Sequence, residues 1–282
     1  MKQNQALTLA GTHLRKNITL FLACSSLLLT GCRRPSGFPE GEWIDLSYDL
    51  SAQTITWPTS EPFRLDTVSA GITEKGYYYS AYNFCASEHG GTHLDAPIHF
   101  AQNRKSVDQL SLNQLTGPAI KIDVSGRAAQ NRDYQVRVAD ILNWEKEHGQ
   151  IPDNSMVLLQ TGYGQYWPNP LKYLGTEKRG TAGVQALRFP GLAPETAAWL
   201  IKNRRIKAIG IDTASIDYGQ SQVYGSHITL MQQDIPAFEN VANLEKVPVI
   251  GAQIIALPMK IKGGSGGPLR IVAFVPNTSQ SD

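Results

Sequence analysis

From Trp43 to about residue 124, apolar residues come in short runs rich in Val, Ile, Tyr, Phe and Thr. Bounded by Gly, Pro and Ser, these runs predict strands around Ile44 to Leu46, Arg64 to Ser69, Tyr77 to Cys85 and Ala119 to Val124. Further along, the period changes. "VADILNWEKE", Val138 to Glu147, spaces its apolar residues for one helix face, and the apolar run Met156 to Gln160 follows as a strand. "APETAAWLIKN" has Pro194 and Glu195 in first-turn positions, which predicts a helix leading into the buried strand "IKAIGIDT". "VPVIGAQIIALP" and "RIVAFV" predict further strands. The pattern predicts an α/β fold, richer in strand than helix, with a mixed rather than doubly wound sheet.

The N-terminal stretch fits neither period. A basic start is followed by "ITLFLACSSLLLTGC", an apolar run of about 14 residues before Cys32, too short to span a bilayer and suited to a signal-peptide core. "LTGC", Leu29 to Cys32, resembles the lipobox of bacterial lipoproteins, which implies cleavage before Cys32 and its acylation. A plain secretory signal or a short anchor is the alternative. The expected organisation is a signal peptide over 1–31, a polar Pro/Gly linker over 32–42, one domain over 43–275 and a polar tail over 276–282. Such a protein is exported and touches a membrane only through its lipid anchor.

Removing residues 1–31 changes the charge picture. The formal charge of +2 includes Lys2, Arg15 and Lys16, and without them 23 basic residues face 24 acidic ones. Nothing in that balance predicts nucleic-acid binding. Of the three cysteines, Cys24 leaves with the signal and Cys32 carries lipid. Cys85 remains alone, so no disulfide forms within the mature chain, and its setting predicts a small apolar residue in a strand.

Three of the six histidines lie in "HGGTHLDAPIH", His89 to His99. If "THLDA" is extended, His93 and Asp95 project from one face and can reach one divalent ion. In a straight strand His89 sits roughly 13 Å of chain from His93, too far to share that ion. Gly90 and Gly91 permit the bend that brings it closer, and Pro97 ends strand pairing so that His99 can turn back. His99 is then either another ligand or a free imidazole acting as a base. Polar loop residues are the bland alternative for any one histidine; the spacing of the whole set points to metal. His227 and Glu239, distant in sequence, are a plausible second source of ligands. His13 in the signal region and His148 at a helix end are poor candidates. "GGSGGPLR", residues 263–270, lacks the Lys-Ser/Thr ending of a phosphate-binding loop and predicts a loop wall near the site.

"HGGTHLDAPIH" matches every fixed position of H-x-G-T-H-x-D-x-P-x-H, and here the chain resembles the cyclase-like metal hydrolases, which include bacterial kynurenine formamidase and isatin hydrolase. "TWPTS", "GIDTASID", the His227–Glu239 pair and "LPMKIKGGSGGPLRIVA" extend the resemblance over nearly all of residues 43–275. It implies a swivelling β/β/α fold. It implies His89, His93 and Asp95 as ligands of a first metal, with His227 and Glu239 completing the site or holding a second ion. His99 would be the general acid/base, and Trp57 would line the substrate pocket. Zinc is the leading expectation and manganese the next. Asp212, Ser215 and Asp217 either orient ligands or stabilise a turn.

The implied reaction is hydrolysis of a small amide, an N-formyl arylamine or a cyclic amide, by metal-activated water. The resemblance further implies a homodimer or larger assembly. Lactone hydrolysis by the same centre, or a lipoprotein that only binds metal, are the competing expectations. Export sits awkwardly with the intracellular formamidases of tryptophan breakdown, so the reaction class is better founded than the substrate.

Overall fold

The structure is a computed structural model that describes residues 40–277. The signal segment, Cys32, most of the linker and residues 278–282 of the tail lie outside the described residues. Twelve strands follow in chain order: β1 (Gly41–Asp45), β2 (Arg64–Ile72), β3 (Tyr78–Cys85), β4 (His93–Asp95), β5 (Thr116–Asp123), β6 (Gln135–Val136), β7 (Met156–Gln160), β8 (Gly191–Leu192), β9 (Ala208–Ile211), β10 (Ala237–Glu239), β11 (Ile250–Pro258) and β12 (Gly266–Pro276). The two predicted helices form as Val138–His148 and Pro194–Asn203. Among the described residues no helix is long and apolar enough to cross a membrane.

Eight strands form one sheet in the order β1-β12-β11-β5-β7-β9-β10-β4, and β4 pairs with β12 as well. That last pairing curls the sheet into a closed, barrel-like ring. β5, β7, β9 and β10 run parallel to one another, while β11, β12 and β4 make antiparallel pairs. The mixed, strand-rich α/β architecture is therefore as the sequence pattern predicts.

Alternation along the central strands feeds two apolar cores. Ile120, Ile122, Val157 and Leu159 pack with Ile141, Trp144, Ala197 and Leu200 of the two long helices. Ala119, Met156 and Leu158 instead join Leu94, Phe238, Ile254, Ile271 and Ala273 from strands around the ring. With both faces covered, β7 is buried at all five positions. Each fully buried aliphatic side chain contributes roughly 1.5–3 kcal/mol.

Strands β2 and β3 behave differently. They pair only with each other, from Arg64 opposite Cys85 to Ile72 opposite Tyr78. Leu65, Val68, Ile72, Tyr78, Tyr82 and Phe84 are exposed on this hairpin. Cys85 lies in its predicted strand but is exposed too, because the hairpin does not join the large sheet.

Candidate metal centre

Strand β4 is the floor of the site. His93 and Asp95, both 1% exposed, lie two positions apart on it, and His93 Nε2 comes within 3.1 Å of Asp95 Oδ1. The bend expected before this strand is present: Gly91 has φ +61°, and a Cβ there would lie 3.0 Å from Leu50 and from Thr54. Glycine removes both obstacles. The bend returns His89 to the cluster, with Nδ1 2.6 Å from Asp95 Oδ1. Pro97 opens a short 3-10 turn, Pro97–His99, in which the His99 N–H donates to the Ala96 carbonyl at 2.8 Å. His99 is thereby folded over His89, their rings stacked with centroids 3.9 Å apart.

Two distant elements complete the cluster. Glu239 arrives on β10, the antiparallel neighbour of β4, and His227 on the helix Gly225–Met231. His227 Nε2 lies 3.1 Å from Asp95 Oδ2 and 3.0 Å from Glu239 Oε1, while His93 Nε2 lies 3.4 Å from Glu239 Oε2. His89, Asp95 and His99 form one triad of mutually close donor atoms, and His93, Asp95 and Glu239 form another, with Asp95 in both.

Hydrogen bonds behind the rings fix which nitrogen faces the cluster. His93 Nδ1 donates to the Gly91 carbonyl at 2.8 Å. His227 Nδ1 donates to Asp217 Oδ2 at 2.7 Å. With those protons outside, both Nε2 atoms turn lone pairs toward Asp95 and Glu239, which are acceptors as carboxylates. His93 Nε2 is buried and has no hydrogen-bond partner, although two carboxylates are near. Such a set of acceptors is stable when positive charge lies among them, either protons on the rings or a metal ion. Burial alone would push the imidazoles toward neutrality. Asp95 and Glu239 outweigh it at His93, raising it to about 10, and Asp217, Asp95 and Glu239 together hold His227 well above its usual range. Burial likewise works against ionised Asp95, yet the surrounding histidines hold its carboxyl well below the usual range. Buried nitrogen and carboxylate donors built around a positive charge fit a divalent metal.

His99 differs from the other rings. Burial dominates there and pushes it down to about 4, so it is neutral at pH 7. With Trp57, Phe100, Tyr224 and Ser215, it borders a cavity of about 260 Å³ whose floor is the cluster. A larger hollow of about 670 Å³, lined by Pro58, Pro62, Pro168 and Pro170, borders no such cluster among the described residues.

The three residues left open by the sequence separate. Asp217 both orients His227 and accepts the Ser226 and His227 amides at the start of their helix. These bonds outweigh burial and lower its pKa. Asp212 touches no histidine and instead binds the Thr161 hydroxyl and the Thr161 and Gly162 amides. Ser215 borders the cavity. His148 ends its helix beside Trp144, where its ring shares none of the cluster's contacts. Sequence reasoning missed Phe100, Tyr224 and Glu88, and placed Ser265 only within a loop wall near the site. Phe100, next to His99, and Glu88, next to His89, carried a positional hint.

Fold and site thus define a barrel-like α/β protein with a buried histidine–carboxylate centre. Residues 44–218 match the family described as putative cyclase, and the chain belongs to that family. Among its relatives, isatin hydrolase of Roseibium aggregatum is 28% identical over 268 residues, covering 90% of this chain and 98% of that protein. A kynurenine formamidase of Bacillus cereus is 30% identical over 231 residues, covering 82% and 96%. The solved structure of isatin hydrolase A from Labrenzia aggregata, bound to benzyl benzoate, superposes with a TM-score of 0.76 at 32% identity, covering 84% of this chain and 94% of that one.

Proposed function

We propose that this protein is a metal-dependent hydrolase that cleaves the C–N bond of a small amide, either an aromatic N-formyl amide or a cyclic amide. The observation that carries this proposal is the convergence of two lone-pair-bearing imidazoles, His93 and His227, on Asp95 and Glu239 beneath an aromatic-walled cavity. The relatives named isatin hydrolase and kynurenine formamidase support the reaction class. His89, His93, Asp95, His227 and Glu239 would hold the ion. A divalent ion held there would supply Lewis-acid chemistry, polarising a carbonyl and lowering the pKa of water toward neutrality.

The protein's own residues do the rest. Trp57, Phe100 and Tyr224 wall the cavity, and a flat aromatic amide packs against Trp57. His99, neutral and at the cavity edge, takes a proton from the attacking water and returns it to the departing nitrogen. The Gly91 carbonyl and Asp217 keep His93 and His227 in the tautomer that faces the cluster.

Zinc is the first ion assigned and manganese the second, since three imidazoles and two carboxylates accept either. Asp95 presents one carboxylate oxygen to His89 and the other to His227, so the site would accept one ion or two. The basic leader and the lipobox-like Leu29 to Cys32 support export and acylation at Cys32. Labelling with a fatty-acid analogue tests this, and a protein that takes up no label overturns it. Exposed apolar side chains on the β2–β3 hairpin support a homodimer or larger assembly, which light scattering tests.

Metal analysis combined with a panel of formamides, lactams and lactones tests the reaction. Stoichiometric metal and chelator-sensitive amide cleavage are expected. Bound metal without hydrolysis of any panel member would make this a binding protein instead.

A further inference from the structure

The glycine-flanked serine of "GGSGGP" does not border the cavity, yet it meets the cluster from behind. Ser265 Oγ donates to Glu88 Oε2 at 2.6 Å, and the Ser265 amide donates to the same oxygen at 3.1 Å. On its other side, Ser265 Oγ is 2.9 Å from His89 Nε2. The Ala96 N–H, just past β4, donates to the Ser265 carbonyl at 2.8 Å and ties this loop to the strand carrying His93 and Asp95. Of the neighbouring glycines, Gly266 is required by space, because it abuts backbone, while Gly264 leaves room for the Glu88 carboxylate. A Cβ at Gly264 would lie 2.7 Å from Glu88 Oε1, and one at Gly266 would lie 2.7 Å from His89 Cε1 and 2.4 Å from the Leu94 carbonyl.

The order of donors along this chain of contacts is forced. An ionised carboxylate can only accept, so the single hydroxyl proton of Ser265 goes to Glu88. The hydroxyl oxygen is then left to accept, and the proton it accepts is the one on His89 Nε2. With Nε2–H committed to Ser265, Nδ1 is the ring atom that faces Asp95, 2.6 Å from Oδ1; it donates to that carboxylate in the absence of an ion, and its proton is the one a metal would displace. We propose that Glu88 and Ser265 are positioning residues that lock His89 in the Nε2–H tautomer, so that Nδ1 is its metal-binding atom. Gly91 and Asp217 hold the Nδ1 protons of His93 and His227; Glu88 does the opposite for His89, through a serine. The inference rests on the metal-site assignment made above.

The test titrates the purified, metal-stripped protein with Zn2+ and with Mn2+ against a chromophoric chelator, and records the 15N shifts of the His89 ring. Glu88→Gln keeps size and hydrogen bonding but can also donate, so the direction of the relay is lost. Ser265→Ala removes the relay itself. Each is expected to weaken metal binding by roughly 10- to 100-fold, with the double variant no worse than the weaker single one. In both, His89 gains the Nδ1–H tautomer, while the metal-free melting temperature stays within the spread of wild-type preparations. Unchanged affinity and unchanged ring shifts overturn the relay, as does an additive double variant. His93→Ala is the parallel control. If it too binds metal normally, the metal-site assignment fails; if it alone loses metal, only the relay fails.

Discussion

Asp95 and Asp212 are two carboxylates with nearly the same burial and opposite character. They are 1% and 2% exposed, each at the end of a strand in the same sheet. Burial pushes both toward the protonated form. Around Asp95, three imidazoles overcome it and hold the carboxyl well below its usual range. Asp212 meets only neutral donors, Thr161 and Gly162, and stays raised from 3.8 to about 6. Depth alone therefore does not mark a metal ligand. The neighbours do: Asp95 is built to share positive charge, and Asp212 ties the end of β7 to the end of β9.

The largest break in this comparison comes from Asp95→Ala, which is expected to abolish metal binding in an equilibrium titration. A protein that retains tight metal without Asp95 would remove the distinction. His99→Ala should keep its metal and lose roughly 10²- to 10⁴-fold in kcat, measured at matched metal occupancy. Loss of metal in that variant would place His99 among the ligands with His89 and Asp95.

Asp212→Asn should leave metal affinity unchanged while costing about 1–3 kcal/mol, because asparagine cannot accept on both arms. It also carries a pH signature. The folded protein holds the Asp212 proton more tightly than the unfolded chain does, so its contribution to stability is full below pH 3.8. That contribution falls as pH rises and is lost above about 6. Melting curves of both proteins across this window should converge upward in pH; parallel curves would contradict the assignment. The smallest effect is expected for Trp57→Leu, where a weaker aromatic contact raises KM up to about tenfold with little change in kcat.

Much of the cluster was legible because its signals are local. His93 and Asp95 sit two apart in a strand, glycine stands where φ is positive, and proline precedes the turn that carries His99. The large sheet was legible for a similar reason, since β7 is apolar at nearly every position and its neighbours alternate. Closure of the ring was not, because the pairing of β4 with both β10 and β12 leaves no mark on a three-residue strand. Nor was the tautomer of His89, which depends on a hydroxyl 176 residues away. Asp217 could be read from sequence as a ligand-orienting residue or a turn residue, and it both binds the His227 ring and accepts the amides that start its helix. The β2–β3 hairpin shows the limit of pattern: its residues form strands as expected, but strand propensity does not say whether a face will be covered.

The seam at β4 also sets a schedule for making the protein. His93 pairs with Glu239 and with Pro268, and it cannot find either until they have been synthesised. At ribosomal rates, Pro268 follows His93 by on the order of 10 s. Throughout that interval the nascent chain already carries all three histidines of "HGGTHLDAPIH" but no closed ring to hold them around one point. A chain that stalls before β12 therefore carries the motif without a finished centre, and loading with metal becomes a mark of completed synthesis.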